Sequence, residues 1–423
     1  MRDETKCLHA GYTPGNGEPR VLPIVQSTTY VYDSADEVAA IFDDPTRGLC
    51  YSRFGNPTVM AVEEKIAALE GGVGAMCTTS GQAAVLLAVL NICQAGDSIV
   101  SASQIYGGTI NLFSHTLKRL GISCIYVDPS MTDEEIKAAF GPRTRLVFGE
   151  TIANPALTVL DIERFARIAH EMEVPLLVDN TFATPILCKP FSFGADIVVH
   201  STSKYMDGHA VQIGGVIVDG GKFDWTCGKF PELTEPDPSY HGISYTDSYG
   251  KMAYIIKARM QLMRDFGVYP AAHSAFLLNL GLETLPVRMK QHCENALRVA
   301  GYLEQSEAVE RVIYPGLASD AGYALAEKYL KGASGVVSFL IKGGREAAKV
   351  FMDNLHLASN EVHVADIRTC VLHPASETHR QLTDEQLLAA GIDGGMVRFS
   401  VGLEHTDDIL ADLEGAFAAV AGM

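Results

Sequence analysis

The feature that most constrains this chain is the regular exchange, from residue 74 to residue 218, of short apolar β-branched segments with helix-length amphipathic ones. Segments 74–78, 98–102, 122–127, 145–149, 174–179, 197–200 and 214–218 read as strands, and 81–93, 108–120, 133–140 and 162–172 as the helices between them. Continuous apolar strands are buried on both faces, and a strand–helix–strand order brings successive strands back parallel. The expectation is an α/β fold whose large domain is a mainly parallel sheet with helices on both sides. The helix entering this series is marked by Val59, Val62, Ile66 and Leu69 on one face and stopped by Gly71-Gly72.

A chain of 423 residues is longer than one hydrophobic core supports, so a second domain is expected. The divisions read as an N-terminal arm at 1–57, a large domain at 58–265, and a smaller α+β C-terminal domain at 266–423. The arm has little helical periodicity and many turn formers, among them Pro14-Gly15-Asn16-Gly17, and reads as either disordered or laid across a partner. Within the large domain, 222–262 mixes Phe223, Trp225, Phe230, Tyr240, Tyr245, Tyr249 and Tyr254 with three prolines, which predicts an ordered insertion packed on something. The small domain reads as helices at 271–280, 285–303, 345–355, 384–390 and 406–420, with strands near 335–341 and 396–401.

A formal charge of −18 leaves no basic excess for nucleic acid or an anionic membrane. No apolar run is long enough to span a bilayer, and the first residues lack the apolar core of a signal peptide. The nine cysteines are scattered without a close C-x-x-C pair, which points to free thiols in a reducing, cytoplasmic setting. The histidines lack ligand spacing, so no metal is expected, the group His363, His373 and His379 included.

Open α/β sheets bind ligands past the carboxyl ends of their strands. Five such ends carry chemistry here. Ser80-Gly81-Gln82 opens a helix, where free N–H groups make an anion site. Tyr106-Gly107-Gly108 offers a flat ring, Asn154 an amide, and Asp179 a carboxylate. The run Ala195–Tyr205 ends in Ser201-Thr202-Ser203-Lys204, three hydroxyls and then a lysine able to form a Schiff base. Each alone also reads as a helix cap, a packed ring, a turn or a solvated lysine. Together they match the needs of a pyridoxal phosphate site: an anchored phosphate, a stacked ring, a charged pyridinium and an imine-forming lysine.

Tyr51-Ser-Arg-Phe-Gly-Asn-Pro-Thr58, Ser80-Gly-Gln82, Asp179-Asn-Thr181, His200-Ser-Thr-Ser-Lys-Tyr205 and Arg398-Phe-Ser-Val-Gly-Leu-Glu404 together resemble the Cys/Met-metabolism (transsulfuration) pyridoxal-phosphate enzymes, nearly end to end. The resemblance implies the aspartate-aminotransferase-like fold (fold type I) and pyridoxal 5'-phosphate as cofactor. It implies Lys204 as the Schiff-base lysine, Asp179 on the pyridine nitrogen, and Tyr106 on the ring. Ser80, Gly81, Gln82, Ser201 and Ser203 would hold the phosphate, with Asn154 near a cofactor oxygen. Arg398 would clamp the substrate α-carboxylate. Tyr51 and Arg53 would reach the phosphate of a neighbouring subunit, Tyr51 also touching substrate and sharing acid–base work with Tyr106. The implied assembly is a homotetramer of catalytic dimers.

The insertion around Lys229–Gly242, the glutamine of Ser-Gly-Gln, and the absence of a cysteine just after Tyr106 resemble the O-acetylhomoserine sulfhydrylase branch. That implies γ-replacement: loss of protons from Cα and Cβ, departure of acetate from Cγ, and addition of sulfide or a small thiol, in methionine and cysteine biosynthesis. The alternative is a methionine γ-lyase or a cystathionine γ-synthase or lyase. At His363 the chain departs from the family pattern, and no substrate contact is carried over to 359–366.

Overall fold

The computed structural model describes residues 1–377, 380 and 393–422. Seven strands make the large sheet: β1 (Gly74–Thr78), β2 (Ser98–Ala102), β3 (Ser123–Val127), β4 (Thr144–Glu150), β5 (Leu176–Asp179), β6 (Ile197–Ser201) and β7 (Gly215–Asp219). Their order is β1-β7-β6-β5-β4-β2-β3, parallel from β6 to β3, with β7 antiparallel to both neighbours. β4 and β7 are buried at every position, as double-sided cover by helices requires. The reversal of β7 has a local cause. Residues 202–214 contain no helix, and a parallel return needs a crossover, usually helical. One consequence governs the site. Thr78 and Ser201 both pair with Gly215, so the carboxyl ends of β1 and β6 flank the same short stretch.

The two helices expected at 271–280 and 285–303 are one, Ala272–Gln305, with Pro286 inside it. At 34 residues it runs about 51 Å. A proline deletes a helical hydrogen bond and usually ends or kinks the run. Here neighbouring contacts support that turn. Arg288 Nη2 donates to the Gly281 carbonyl (2.7 Å) and Nη1 to that of Tyr205 (2.7 Å). The helix is also buried against two cores, Leu278, Leu282, Leu285 and Met289 in the larger and Val299, Ala300 and Leu303 in the smaller. Gly281 permits the contact: a Cβ there would lie 2.5 Å from the carbonyl oxygens of Met206 and Asp207, in the loop that follows Lys204.

The second sheet has the order β10-β11-β12-β9-β8, from β8 (Val309–Ile313), β9 (Val336–Ile341), β10 (Ser359–Asn360), β11 (Cys370–Leu372) and β12 (Met396–Ser400). Arg398 lies mid-strand in β12, opposite Leu372 and Ser338. The helix expected at 384–390 and the ring of His379 lie outside the described residues.

Where the sequence shows little helical periodicity, helices Asp3–His9 and Ala35–Asp43 form. Such short segments show too few turns for a period to register. The first packs on its own chain: Cys7 is fully buried, Lys6 Nζ donates to Ala68 O (2.7 Å), and Asp3 pairs with Lys189 (2.6 Å). The aromatic insertion is ordered, as expected. Trp225 stacks on Tyr254 at 5.2 Å and meets Phe223 and Phe230 edge-on, all against the larger core. All nine cysteines are free, five of them buried. Among the described residues, no helix is long and apolar enough to cross a membrane and no cluster of His, Cys, Asp or Glu could hold a metal.

Candidate active site

A cavity of about 490 Å³ opens where the carboxyl ends of β1, β2, β4, β5 and β6 face β12 and the 361–369 loop. Its wall includes Ser80, Gly81, Gln82, Tyr106, Asn154 and Asp179, together with Ser201, Ser203, Lys204 and Arg398.

Lys204 stands just past β6 in a loop tied down on several sides. Its N–H donates to Ser201 O (3.3 Å), its carbonyl accepts from Gly208 N (2.7 Å), and the next side chain, Tyr205, is fully buried with its hydroxyl accepting from Gly335 N (3.0 Å). Burial, with Arg398 nearby adding repulsion, lowers the lysine from 10.5 to about 8. An ammonium so placed sheds its proton more readily than a solvated lysine, as suits an imine-forming amine. Nζ lies 3.2 Å from Nδ1 of His363.

Asp179 ends β5. Its Oδ1 accepts from Thr181 N (2.9 Å) and Thr181 Oγ1 (2.5 Å), and the threonine hydroxyl in turn accepts from Ser201 N (2.9 Å). The turn-capping and ligand-facing readings of Asp179 are therefore compatible: Oδ1 caps, and the residue still borders the cavity. Burial pushes its carboxyl upward while the Thr181 contacts pull it back. A partly desolvated carboxylate of this kind is favoured when a cation meets it.

At the helix start Ser80 caps through its hydroxyl, which accepts from Ala83 N (3.1 Å). The first N–H groups of the helix Gly81–Leu90 have no intrahelical acceptor. The backbone there is closely packed: a Cβ on Gly81 would lie 2.6 Å from Cβ of Ser201. Ser203 Oγ is engaged with Gly214, donating to its carbonyl (3.3 Å) and accepting from its N–H (3.0 Å). Across the cavity, Arg398 donates from Nη1 to Asn154 Oδ1 (3.2 Å) and from Nη2 to the His363 carbonyl (2.9 Å), and its buried Nε has no partner.

Three wall residues escaped the sequence reading of roles. Glu150, ending β4, accepts from Tyr106 N at one oxygen (2.7 Å) and Asn154 N at the other (3.2 Å), so one carboxyl aligns two strand-end loops. Burial and the Asp179 charge hold it well above the usual carboxylate range. Its position at a strand end was the available signal, the same one that marks Asp179. Thr181 is the second, two residues beyond Asp179. His363 is the third; its departure from the family pattern and its place in the histidine group marked the position without giving it a role.

Tyr51 and Arg53 do not border this cavity. Tyr51 is exposed, and Arg53 donates to Arg264 O while its guanidinium lies 5.5 Å from the Tyr51 ring and 5.3 Å from that of Phe54. One chain alone does not bring them to Lys204.

An α/β sheet with a readily deprotonated lysine past one strand, a half-buried carboxylate at the end of the next and an open helix start beside both defines a Schiff-base enzyme of the type that uses an anionic aromatic cofactor. The model of the Cys/Met metabolism PLP-dependent enzyme family matches residues 4–418, and the chain belongs to that family. Pyridoxal 5'-phosphate is accordingly its cofactor. The chain is 46% identical to an O-acetyl-L-homoserine sulfhydrylase of Leptospira meyeri, the match covering 98% of this chain and 96% of that one. It is 46% identical to O-acetyl-L-homoserine sulfhydrylase 1 of Thermus thermophilus, over 99% and 100% of the two chains. It is 44% identical to the homocysteine/cysteine synthase of Saccharomyces cerevisiae, over 99% and 98%. Among solved structures, one assigned as an O-acetylhomoserine (thiol)-lyase of Campylobacter jejuni superposes with a TM-score of 0.95 at 35% identity, covering 99% of this chain and 100% of that one, and carries N'-pyridoxyl-lysine-5'-monophosphate.

The residues present fit the cofactor. The lysine loses its proton at about 8, the half-buried Asp179 carboxyl borders the same cavity, and the helix start offers donors beside Ser201.

Proposed function

We propose that this protein is a transferase carrying out γ-replacement on O-acetyl-L-homoserine with sulfide or a small thiol, releasing acetate and forming homocysteine or its thioether, a step of methionine and cysteine biosynthesis. The observation that carries the reading is Lys204, lowered to about 8 and bordering one cavity with Asp179 and Arg398. The sulfhydrylase names of relatives at 44–46% identity support the choice of substrate.

Bound there, pyridoxal phosphate supplies a carbonyl for imine formation and a ring that accepts electrons. Gly81, Gln82, Ser80, Ser201 and Ser203 hold its phosphate. Asp179 would keep the ring nitrogen protonated, Tyr106 would cover the ring, and Asn154, which accepts from Arg398, would stand near a cofactor oxygen. Arg398, which borders the cavity, clamps the α-carboxylate. The freed Lys204 amine takes the Cα proton, and Tyr106 serves the proton traffic at the leaving group with Tyr51.

Tyr51 and Arg53 come from a second copy in a homotetramer of catalytic dimers, and the arm 1–57 crosses between subunits. The arm, the domain division at 265/266 and a cytoplasmic location belong to the same reading. Hybrids test the shared site. Lys204→Ala and Arg53→Ala chains, each inactive alone, regain activity on mixing because one composite site per hybrid dimer is intact, roughly a quarter of the sites on random pairing. No recovery in mixed oligomers would place each site within one chain.

The reaction is tested by giving the holoenzyme O-acetylhomoserine and sulfide. Acetate and homocysteine should form in equal amounts; 2-oxobutyrate as the main product would make the protein a γ-lyase instead.

A further inference from the structure

His363 sits in the loop between β10 and β11, and that loop is fastened to both halves of the site. Its Ile367 N–H donates to Gly208 O (2.8 Å) and Arg368 Nη2 to His209 O (2.9 Å), just beyond Lys204. On the other side Ala365 N–H donates to Ser400 Oγ (2.8 Å) on β12. Just ahead of these anchors in the chain, the His363 carbonyl accepts Nη2 of Arg398 (2.9 Å), and its ring Nδ1 lies 3.2 Å from Nζ of Lys204. One residue thus touches the lysine with its side chain and the arginine with its main chain.

The chemistry of the contact has one sense. An ammonium only donates, so Nδ1 is the acceptor and the ring proton sits on Nε2. Burial, Lys204 and Arg398 together hold the imidazole down at about 4, so it stays a neutral acceptor through the physiological range. After the lysine loses a proton, one remaining N–H can stay on Nδ1, which leaves the nitrogen lone pair free to be directed elsewhere.

We propose that His363 is a positioning residue for Lys204: it holds the released lysine amine through Nδ1, at a distance from the Arg398 clamp that its own carbonyl sets. The geometry is independent of which γ-substituent leaves, but the kinetic consequence rests on the γ-replacement reading above. The side chain governs the base and the main chain governs the clamp, so the two functions separate on mutation.

Two substitutions use that separation. In His363→Asn the side-chain Oδ1 takes the place of Nδ1, whereas His363→Leu keeps bulk and has no acceptor. Both keep the carbonyl that holds Arg398. With saturating pyridoxal phosphate, His363→Leu should lose about tenfold to a hundredfold in kcat with KM for O-acetylhomoserine within about threefold, while His363→Asn stays within about threefold of wild type in both. A second measurement needs no turnover. In cofactor-free protein, trace acetylation of Lys204 against pH, read by mass spectrometry, reports the amine directly. Removing the acceptor destabilises the ammonium, so the midpoint for His363→Leu should fall below that of wild type and of His363→Asn. An unchanged midpoint in His363→Leu would overturn the proposal. So would equal loss in both variants with KM raised in step, because that is the signature of a collapsed loop. A protein inactive on O-acetylhomoserine would refute the γ-replacement reading and leave the labelling result standing.

Discussion

Lys257 is buried and Lys204 half-buried, and both are lowered from 10.5 to about 8 with burial as the first cause. Their surroundings differ. Lys257 ends the helix Ala253–Lys257 inside the larger core and donates to the carbonyl (2.9 Å) and side chain (3.4 Å) of Asn91, with Glu232 and Asp237 raising it again. Lys204 borders an open cavity, feels a second cation in Arg398, and meets a neutral ring nitrogen. Lowered basicity is therefore not itself a sign of function. Burial lowers any lysine, and chemistry also requires room for a carbonyl beside the amine and partners for the groups that follow.

The largest expected break in the comparison is Lys204→Ala. Covalent fixation of the cofactor by borohydride should vanish and turnover should fall by at least about a thousandfold, whereas Lys257→Met keeps both. Turnover near wild type in Lys204→Ala would remove the lysine from the mechanism. Next comes Asp179→Asn, which removes the carboxylate proposed to pair with the ring nitrogen: kcat should fall about a hundredfold or more while borohydride fixation persists. Thr181→Val is milder. It removes the hydroxyl that bridges Asp179 and Ser201, and a loss of about threefold to tenfold in kcat/KM is expected, read alongside cofactor affinity.

The smallest effect on activity belongs to Lys257→Met, whose consequence is stability. A lysine lowered on folding binds fewer protons in the native than in the unfolded chain, so its contribution to stability rises with pH between about 8 and 10.5. Below pH 8 the buried charge costs the native state fully, by a few kcal/mol at most. Denaturant titrations at pH 7.5 and 10 should show wild type gaining on Lys257→Met as pH rises. A constant difference would mean that the lysine is not held in this way.

Much of the site's large-domain wall was legible in advance, because strands buried on both faces leave uninterrupted apolar runs whose ends can be read as ends. Gly74–Thr78 and Ser98–Ala102 form at the expected residues, and the cavity forms where Ser80, Tyr106, Asn154, Asp179 and Lys204 were expected to converge. The small-domain wall was only partly legible. Arg398 stood out through its motif, but His363 and the 361–369 loop carry no period that a local pattern can register.

By itself the sequence determined the α/β class, which rests on local periodicity, while its motifs carried the family resemblance and marked Lys204 as the candidate imine-forming lysine. Tertiary structure alone decided that β7 runs backwards between β1 and β6, that one helix passes Pro286 to join two cores, and that His363 meets Lys204. It also decided the lysine's acidity. Each depends on which distant segments pack together: a strand's direction follows from its neighbours, and a proton's affinity from how much water those neighbours exclude.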